Sequence, residues 1–301
     1  MELSDKKFAV LIDADNISHR KIKDILDEIA NYGTPTIKRI YGDFTDPKFA
    51  AWKSVLLENS ITPIQQYAYT TGKNATDSAL IIDAMDILHN ESVNGFCIVS
   101  SDSDYTRLAS RIRESGREVL GFGEKKTPKP FIKSCDKFIY VEILGQPAPA
   151  PAPVSAPAQT AAAVPAAKAA TPKKTAKKHQ GRNAPETDMP EAAPAEPAAA
   201  EKKVAPAPDT AQPQPIIRPI DDDFKTLLAN TIEDAADDSG WAFLGIVGGV
   251  LTKKMPDFDP RNYGYKKLSL LVKSLSKIVE IEERPSENKE LKLVYVRNRI
   301  R

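Results

Sequence analysis

The chain has 301 residues, 28% of them charged and 41% hydrophobic, with a formal net charge of +1. That balance excludes a wholly disordered chain and leaves room for two domains. It also removes a global field as a means of drawing in a polyanion, so any nucleic acid would have to be held by local basic patches. No stretch reaches the ~18 apolar residues of a membrane span, and the N-terminus lacks the apolar run of a secretory signal; a cytoplasmic protein without membrane contact is expected. Cys97 and Cys135 have no metal-ligand spacing, and they read as buried free thiols of a reducing compartment.

Along the first 145 residues, short apolar runs alternate with amphipathic stretches. "KFAVLID" predicts a strand, and Ser18 can cap a helix over "HRKIKDILDEIANYG" that stops at Gly33. "TPTIKRIYGDF" predicts a second strand, "DPKFAAWKSVLLEN" a helix with Pro47 in its first turn, and "ITPIQQYAY" a third strand. "TDSALIIDAMDILHN" follows as a helix, "GFCIVSS" as a fourth strand, "DYTRLASRIRESG" as a helix and "REVLGFG" as a fifth strand. A short helix near "PKPFIKSC" leads into "KFIYVEIL". Strands alternating with helices predict an α/β, Rossmann-like parallel sheet covered on both faces, of order 3-2-1-4-5.

Residues 146–217 change character. "QPAPAPAPVSAPAQTAAAVPAAKAA" has almost no large apolar side chain, cannot offset its ordering entropy, and reads as a disordered, semi-stiff Ala/Pro linker. "KKTAKKHQGR" within it reads as a solubilising patch, with weak nonspecific contact to phosphates as the alternative. Residues 218–301 then predict helices over "FKTLLANTIEDAA", "FLGIVGGVLTKKM" and "YKKLSLLVKSLS", followed by strands "IVEIEE" and "LKLVYVRN". Three helices before a hairpin is the pattern of a small winged-helix domain. A tether of this kind would raise the local concentration of a bound ligand without fixing the geometry between the two domains.

Two strands end in aspartates. "FAVLIDADNI" closes on Asp13, Asp15 and Asn16, and "FCIVSSDSDY" on Asp102 and Asp104. In an open parallel sheet, ligands bind beyond the carboxyl ends of the strands where the strand order reverses. For order 3-2-1-4-5 that point lies between the first and fourth strands, so the two motifs should meet. Asp77, at the start of the helix after "TTGKNATD", lies at the same rim; Asp83 and Asp86 lie farther along that helix. Crowded carboxylates without His or Cys partners suit a hard cation, Mg²⁺ or Mn²⁺. Such an ion would activate water for in-line attack on a phosphoryl group. His19, His89 and His179 compose no triad, and "GFGEKK" is not a Walker loop.

"VLIDADNI", "KNATDSALIIDAMD" and "IVSSDSDYTRLASRIRESGREVLGFG" together resemble the NYN domain, in the LabA-like branch of the PIN-domain nucleases. The resemblance implies a PIN-like sheet and metal-dependent hydrolysis of RNA phosphodiesters. By position, Asp13, Asp77, Asp102 and Asp104 match the acidic metal-binding set, Asn16 matches the residue that orients the first aspartate, and Lys73 could touch a phosphate. Asp15 falls outside the core set. Arg107 and Arg111, one turn apart on a helix, and Lys125, Lys126 and Lys129 beyond the fifth strand are further candidates for a polyanion.

"SGWAFLGIVGGVLTKKMPDFDPRNYGYKKLSLLVKSL" is similar to the OST-type helix-turn-helix module, also called LOTUS. That similarity implies binding of single-stranded or structured RNA, with guanine-rich RNA suggested, or docking of a protein partner. Trp241, Leu244, Leu268 and Leu271 read as core. Arg261, Tyr263, Tyr265, Lys266 and Lys267 mix aromatic and basic groups as an RNA surface does. The expectation is therefore a Mg²⁺- or Mn²⁺-dependent ribonuclease with a tethered RNA-binding module. The alternative is a non-catalytic RNA-binding or regulatory protein that keeps an acidic metal or nucleotide pocket. A haloacid-dehalogenase-like phosphatase is a third reading of Asp13-x-Asp15, from which Asn16 and Ile17 depart.

Overall fold

In the computed structural model, residues 6–67, 75–145, 217–285 and 292–299 are described. Strand β1 (Lys7–Asp13) is buried along six of its seven positions. Side chains alternate across a strand, and this strand fills a layer on each side. Phe8, Val10 and Ile12 enter one apolar layer, and Ala9 and Leu11 enter the other. A strand covered on both faces has no use for polar alternation, which is why the sequence there runs almost continuously apolar.

The first layer is closed by α1 (Ile22–Ile29), through Ile22, Ile25 and Ile29, and by α2 (Trp52–Asn59), through Trp52 and Leu56. The α1 helix is shorter than "HRKIKDILDEIANYG" predicts. A 3-10 turn, His19–Lys21, precedes it, and Ser18 caps that turn by accepting the Arg20 N–H. Gly33 is required just before β2 (Thr34–Gly42), because a Cβ there would lie 2.4 Å from the Lys6 carbonyl. The second layer is closed by α3 (Ala75–Asn90), through Leu80, Ala84, Ile87 and Leu88. It also takes α4 (Thr106–Glu114) and α5 (Lys129–Ser134).

With β3 (Thr62–Gln65), β4 (Gly95–Val99), β5 (Glu118–Gly123) and β6 (Lys137–Tyr140), the strands form one parallel sheet. Its order is β3-β2-β1-β4-β5-β6, the expected 3-2-1-4-5 with a sixth strand added at the edge. The chain moves outward from β1 to β3 and then returns to the other side of β1, so the order reverses between β1 and β4. Their register pairs Ile12 with Val99. The next residues, Asp13 and Ser100, therefore emerge together at the carboxyl rim.

The C-terminal residues build a second core from α6 (Asp222–Asp234), α7 (Leu244–Lys254) and α8 (Leu268–Ser274), with the hairpin of β8 (Val279–Pro285) and β9 (Lys292–Asn298). A two-residue strand, β7 (Ala242–Phe243), joins the hairpin as a third strand in the order β7-β9-β8. Asp221 caps α6 by accepting the Phe224 N–H at 2.8 Å. Leu244 and Leu271 are buried as the sequence predicts, and Leu268 packs partly against this core. Trp241 departs from the expectation. It stands half-buried outside the core with Arg297 4.6 Å and Arg284 5.3 Å from its ring centre.

The described residues of both domains fall within one compact unit. The Phe138 N–H of β6 donates to the Pro256 carbonyl at 2.9 Å. Arg261 makes a forked pair with Glu28 of α1, at 3.0 and 2.8 Å, and holds Asp259 at 2.7 Å. Asp257 accepts from Tyr140 and from Arg218, both at 2.9 Å. The C-terminal domain is thus docked on the β6 side of the sheet, which corrects the expectation that its geometry would be left unfixed. The Ala/Pro stretch, residues 146–216, lies outside the described residues.

Candidate metal centre

Asp13 ends β1 fully buried, and three donors hold its carboxylate. Asn16 Nδ2 donates to Oδ2 at 2.7 Å, Ser100 Oγ to the same oxygen at 2.8 Å, and the Asp15 N–H to Oδ1 at 3.1 Å. Burial pushes this carboxyl above its ordinary range, the Asn16 and Ser100 bonds pull it back, and the charge of Asp77 raises it again. Ser100 serves twice, because its Oγ also accepts the Asp102 N–H at 3.0 Å. One hydroxyl thereby fixes the end of β1 to the turn after β4.

Asp102 caps the 3-10 turn Ser103–Tyr105 by accepting the Asp104 N–H at 2.9 Å. Tyr105, itself fully buried, donates its hydroxyl to Asp77 Oδ1 at 2.6 Å. These local bonds bring three carboxylates together. One oxygen each from Asp77, Asp102 and Asp104 can be chosen so that all lie within 4.8 Å of one another. Partial burial raises the Asp77 carboxyl, Tyr105 opposes this, and Asp102, Asp104 and Asp15 add further repulsion.

An all-oxygen donor set with mutual repulsion fits a hard divalent ion. Asp13 falls outside this trio; it stands behind, both oxygens engaged, close enough to couple to Asp77. Asp15 pairs with Lys48 at 2.8 Å. Asp83 does not join the rim: it bonds Arg39 and Tyr41 of β2. Asp86 is exposed, and His19 lies edge-on to Trp52, with ring centres 6.1 Å apart. Ser100 and Tyr105, which hold the carboxylates of Asp13 and Asp77, were not singled out from the sequence.

The basic candidates divide. Lys73 lies outside the described residues. Arg107 pairs with Glu114 at 3.2 Å and Arg111 donates to Ser115. Both reach toward the far end of α4, away from Asp102 and Asp104. Lys126 pairs with Glu124 at 2.8 Å, while Lys129 opens α5 exposed. Burial lowers the Lys125 ammonium, Glu142 opposes that, and Arg218 lowers it further. Lys266 and Lys267 are exposed before α8, and Tyr265 is half-buried. Two C-terminal candidates are corrected. Arg261 is spent on Glu28 and Asp259, and Tyr263 is 4% exposed with its ring centre 4.7 Å from that of Phe224, leaving no face for a base.

No helix among the described residues is long and apolar enough to cross a membrane. The NYN domain model matches residues 7–143 and the OST-HTH/LOTUS domain model residues 215–291. The chain is similar to an uncharacterized protein from Nitrosomonas europaea, solved by solution NMR. The two are 35% identical over 34% of this chain and 94% of that one, with a TM-score of 0.25. It is also similar to a protein of unknown function from Vibrio parahaemolyticus, solved by crystallography. That match is 20% identical over 46% of this chain and 96% of the other, with a TM-score of 0.39. No curated protein matches the chain. With the sheet order and the carboxylate rim already in place, the chain carries an N-terminal NYN domain and a C-terminal OST-HTH/LOTUS domain.

Proposed function

We propose that the protein is a metal-dependent endoribonuclease whose second domain helps to hold the RNA. The observation that carries this reading is the meeting of Asp77, Asp102 and Asp104 at the point where strand order reverses. Mg²⁺ or Mn²⁺ held by these carboxylates would polarise a phosphoryl oxygen and lower the pKa of a bound water. The chain's own side chains prepare that site. Tyr105 donates to Asp77, and Asn16 and Ser100 donate to Asp13, favouring its ionised form against the burial that raises its pKa. Among the described residues, Ser100 is already engaged by Asp13 and by the Asp102 N–H, so in this reading water is the nucleophile and the 3′-oxygen the leaving group, which leaves a 5′-phosphate on the product.

On the OST-HTH/LOTUS domain, exposed Lys266 and Lys267 remain as phosphate contacts. The stack of Trp241, Arg297, Arg284 and Tyr295 on the wing offers planar groups for bases. The test is cleavage of a total-RNA pool by the purified full chain with Mg²⁺ or Mn²⁺, repeated with chelator, with the new ends mapped. Metal-dependent fragments bearing 5′-phosphates support the reading. RNA that is bound and left whole under every metal condition would instead assign the chain to non-catalytic RNA binding.

A further inference from the structure

A cleft of about 740 Å³ opens between the two domains, away from the carboxylate trio. Its floor is formed where β5 begins at Glu118 and β6 begins at Lys137, at the amino rim of the sheet, and its far wall by Gly249, Thr252 and Lys253 of α7. Five cations line it, Arg113, Arg117, Lys133, Lys137 and Lys253, against the two anions Glu118 and Asp136. Both anions are already engaged, Glu118 by Lys6 at 2.7 Å and Asp136 by Arg113 at 2.8 Å. Arg117, Lys133 and Lys253 have no ion pair among the described residues. Three cations without ion pairs facing one cleft make a concave positive surface, to which a polyanion crossing both domains is complementary.

We infer that this cleft is a second phosphate-binding track, holding single-stranded RNA at a distance from the cut site and drawing it against both domains at once. This rests on the RNA reading above and extends it to a surface that the acidic motifs do not reach. Strand β5 carries six residues between the two rims, about 17 Å at ~3.3 Å per residue. At ~3.4 Å per stacked nucleotide, a strand reaching from one rim to the other needs at least about five nucleotides. RNA shorter than that engages one rim only.

The test is binding of fluorescently labelled oligoadenylates, which stack, of four and twelve nucleotides to the full chain in chelator, where nothing is cut, across 50–200 mM salt. The variant is Arg117→Ala/Lys133→Ala/Lys253→Ala; Lys133 and Lys253 are exposed and no core contact depends on the three. Each lost phosphate contact lowers the logarithmic salt slope by about 0.7. The triple variant should therefore lose about two units of slope on the twelve-mer, so that its affinity falls about twentyfold less than wild type across that range. The control Lys23→Ala/Lys53→Ala/Lys277→Ala removes the same charge elsewhere and should leave the slope unchanged. An unchanged slope in the cleft variant, or an equal loss in the control, overturns the inference. Because no cleavage is read, a failed nuclease assay leaves this result standing, and an intact nuclease does not rescue it.

Discussion

Tyr105 donates its buried hydroxyl to Asp77 at 2.6 Å, joining the turn after β4 to the first turn of α3. It ties the third carboxylate of the trio to the segment bearing the other two. Tyr105→Phe removes a hydrogen bond to a charged acceptor and should cost about 1.5–3 kcal/mol. The same change lets the Asp77 carboxyl rise further, since Tyr105 opposes that rise. The expected outcome is a lower Tm together with weaker Mg²⁺ binding, both read by thermal unfolding across a Mg²⁺ titration.

Asp102→Asn separates stability from activity. It removes one charge from a self-repelling cluster, so the metal-free variant should unfold at or above the wild-type temperature. Wild type should gain stability with metal, by about 1.4 kcal/mol at tenfold excess over Kd, or about 3–5 °C. The variant should gain little and should cut no RNA. Equal metal-induced shifts in both proteins would remove Asp102 from the ligand set.

Arg261 is the strongest electrostatic link between the domains. Glu28 and Asp259 are nearly buried beside it, with side chains 11% and 8% exposed. Arg261→Ala leaves both without their cationic partner and should cost about 2–4 kcal/mol of docking free energy. Small-angle scattering should show the domains separating, and a double-mutant cycle with Glu28→Gln should return a coupling above 1 kcal/mol.

The thiols give a pH-dependent signature. Cys97 and Cys135 are buried, and burial pushes Cys135 from its ordinary value up to about 12 and Cys97 upward as well. The folded chain keeps the Cys135 proton where the unfolded chain gives it up. This contribution to stability is therefore complete below pH ~9 and is lost as pH rises toward 12. A thiol reagent at pH 8.5 should find no reactive cysteine in the native protein and two in denaturant.

Much of the NYN domain was legible because each strand is followed by its own helix. Both periodicities and the turn residues, such as Pro47 and Gly33, are written locally. The meeting of Asp77 with Asp102 and Asp104 followed from topology alone. What was not legible depended on distant partners. Asp13 opens an Asp-x-Asp motif as Asp102 does, yet it is fully buried with Asn16 and Ser100 on its carboxylate and is not one of the trio. Ser100 and Tyr105 send no special signal, since hydroxyls at strand ends are common. Arg261 and Tyr263 looked like an RNA surface because a basic and aromatic pair reads the same in a core or an interface. The deciding partner of Arg261, Glu28, lies 233 residues away in sequence.

The bond from the Phe138 N–H to Pro256 has a consequence for solubility. An open sheet has two exposed flanks, each a template on which a neighbouring molecule can add its own strand. At one flank, β6 spends that donor on Pro256. At the other, β3 is four residues long and contains Pro63, which has no N–H to offer. The docked domain therefore also works as a guard against polymerisation, and loosening it should make the protein self-associate with rising concentration before it unfolds.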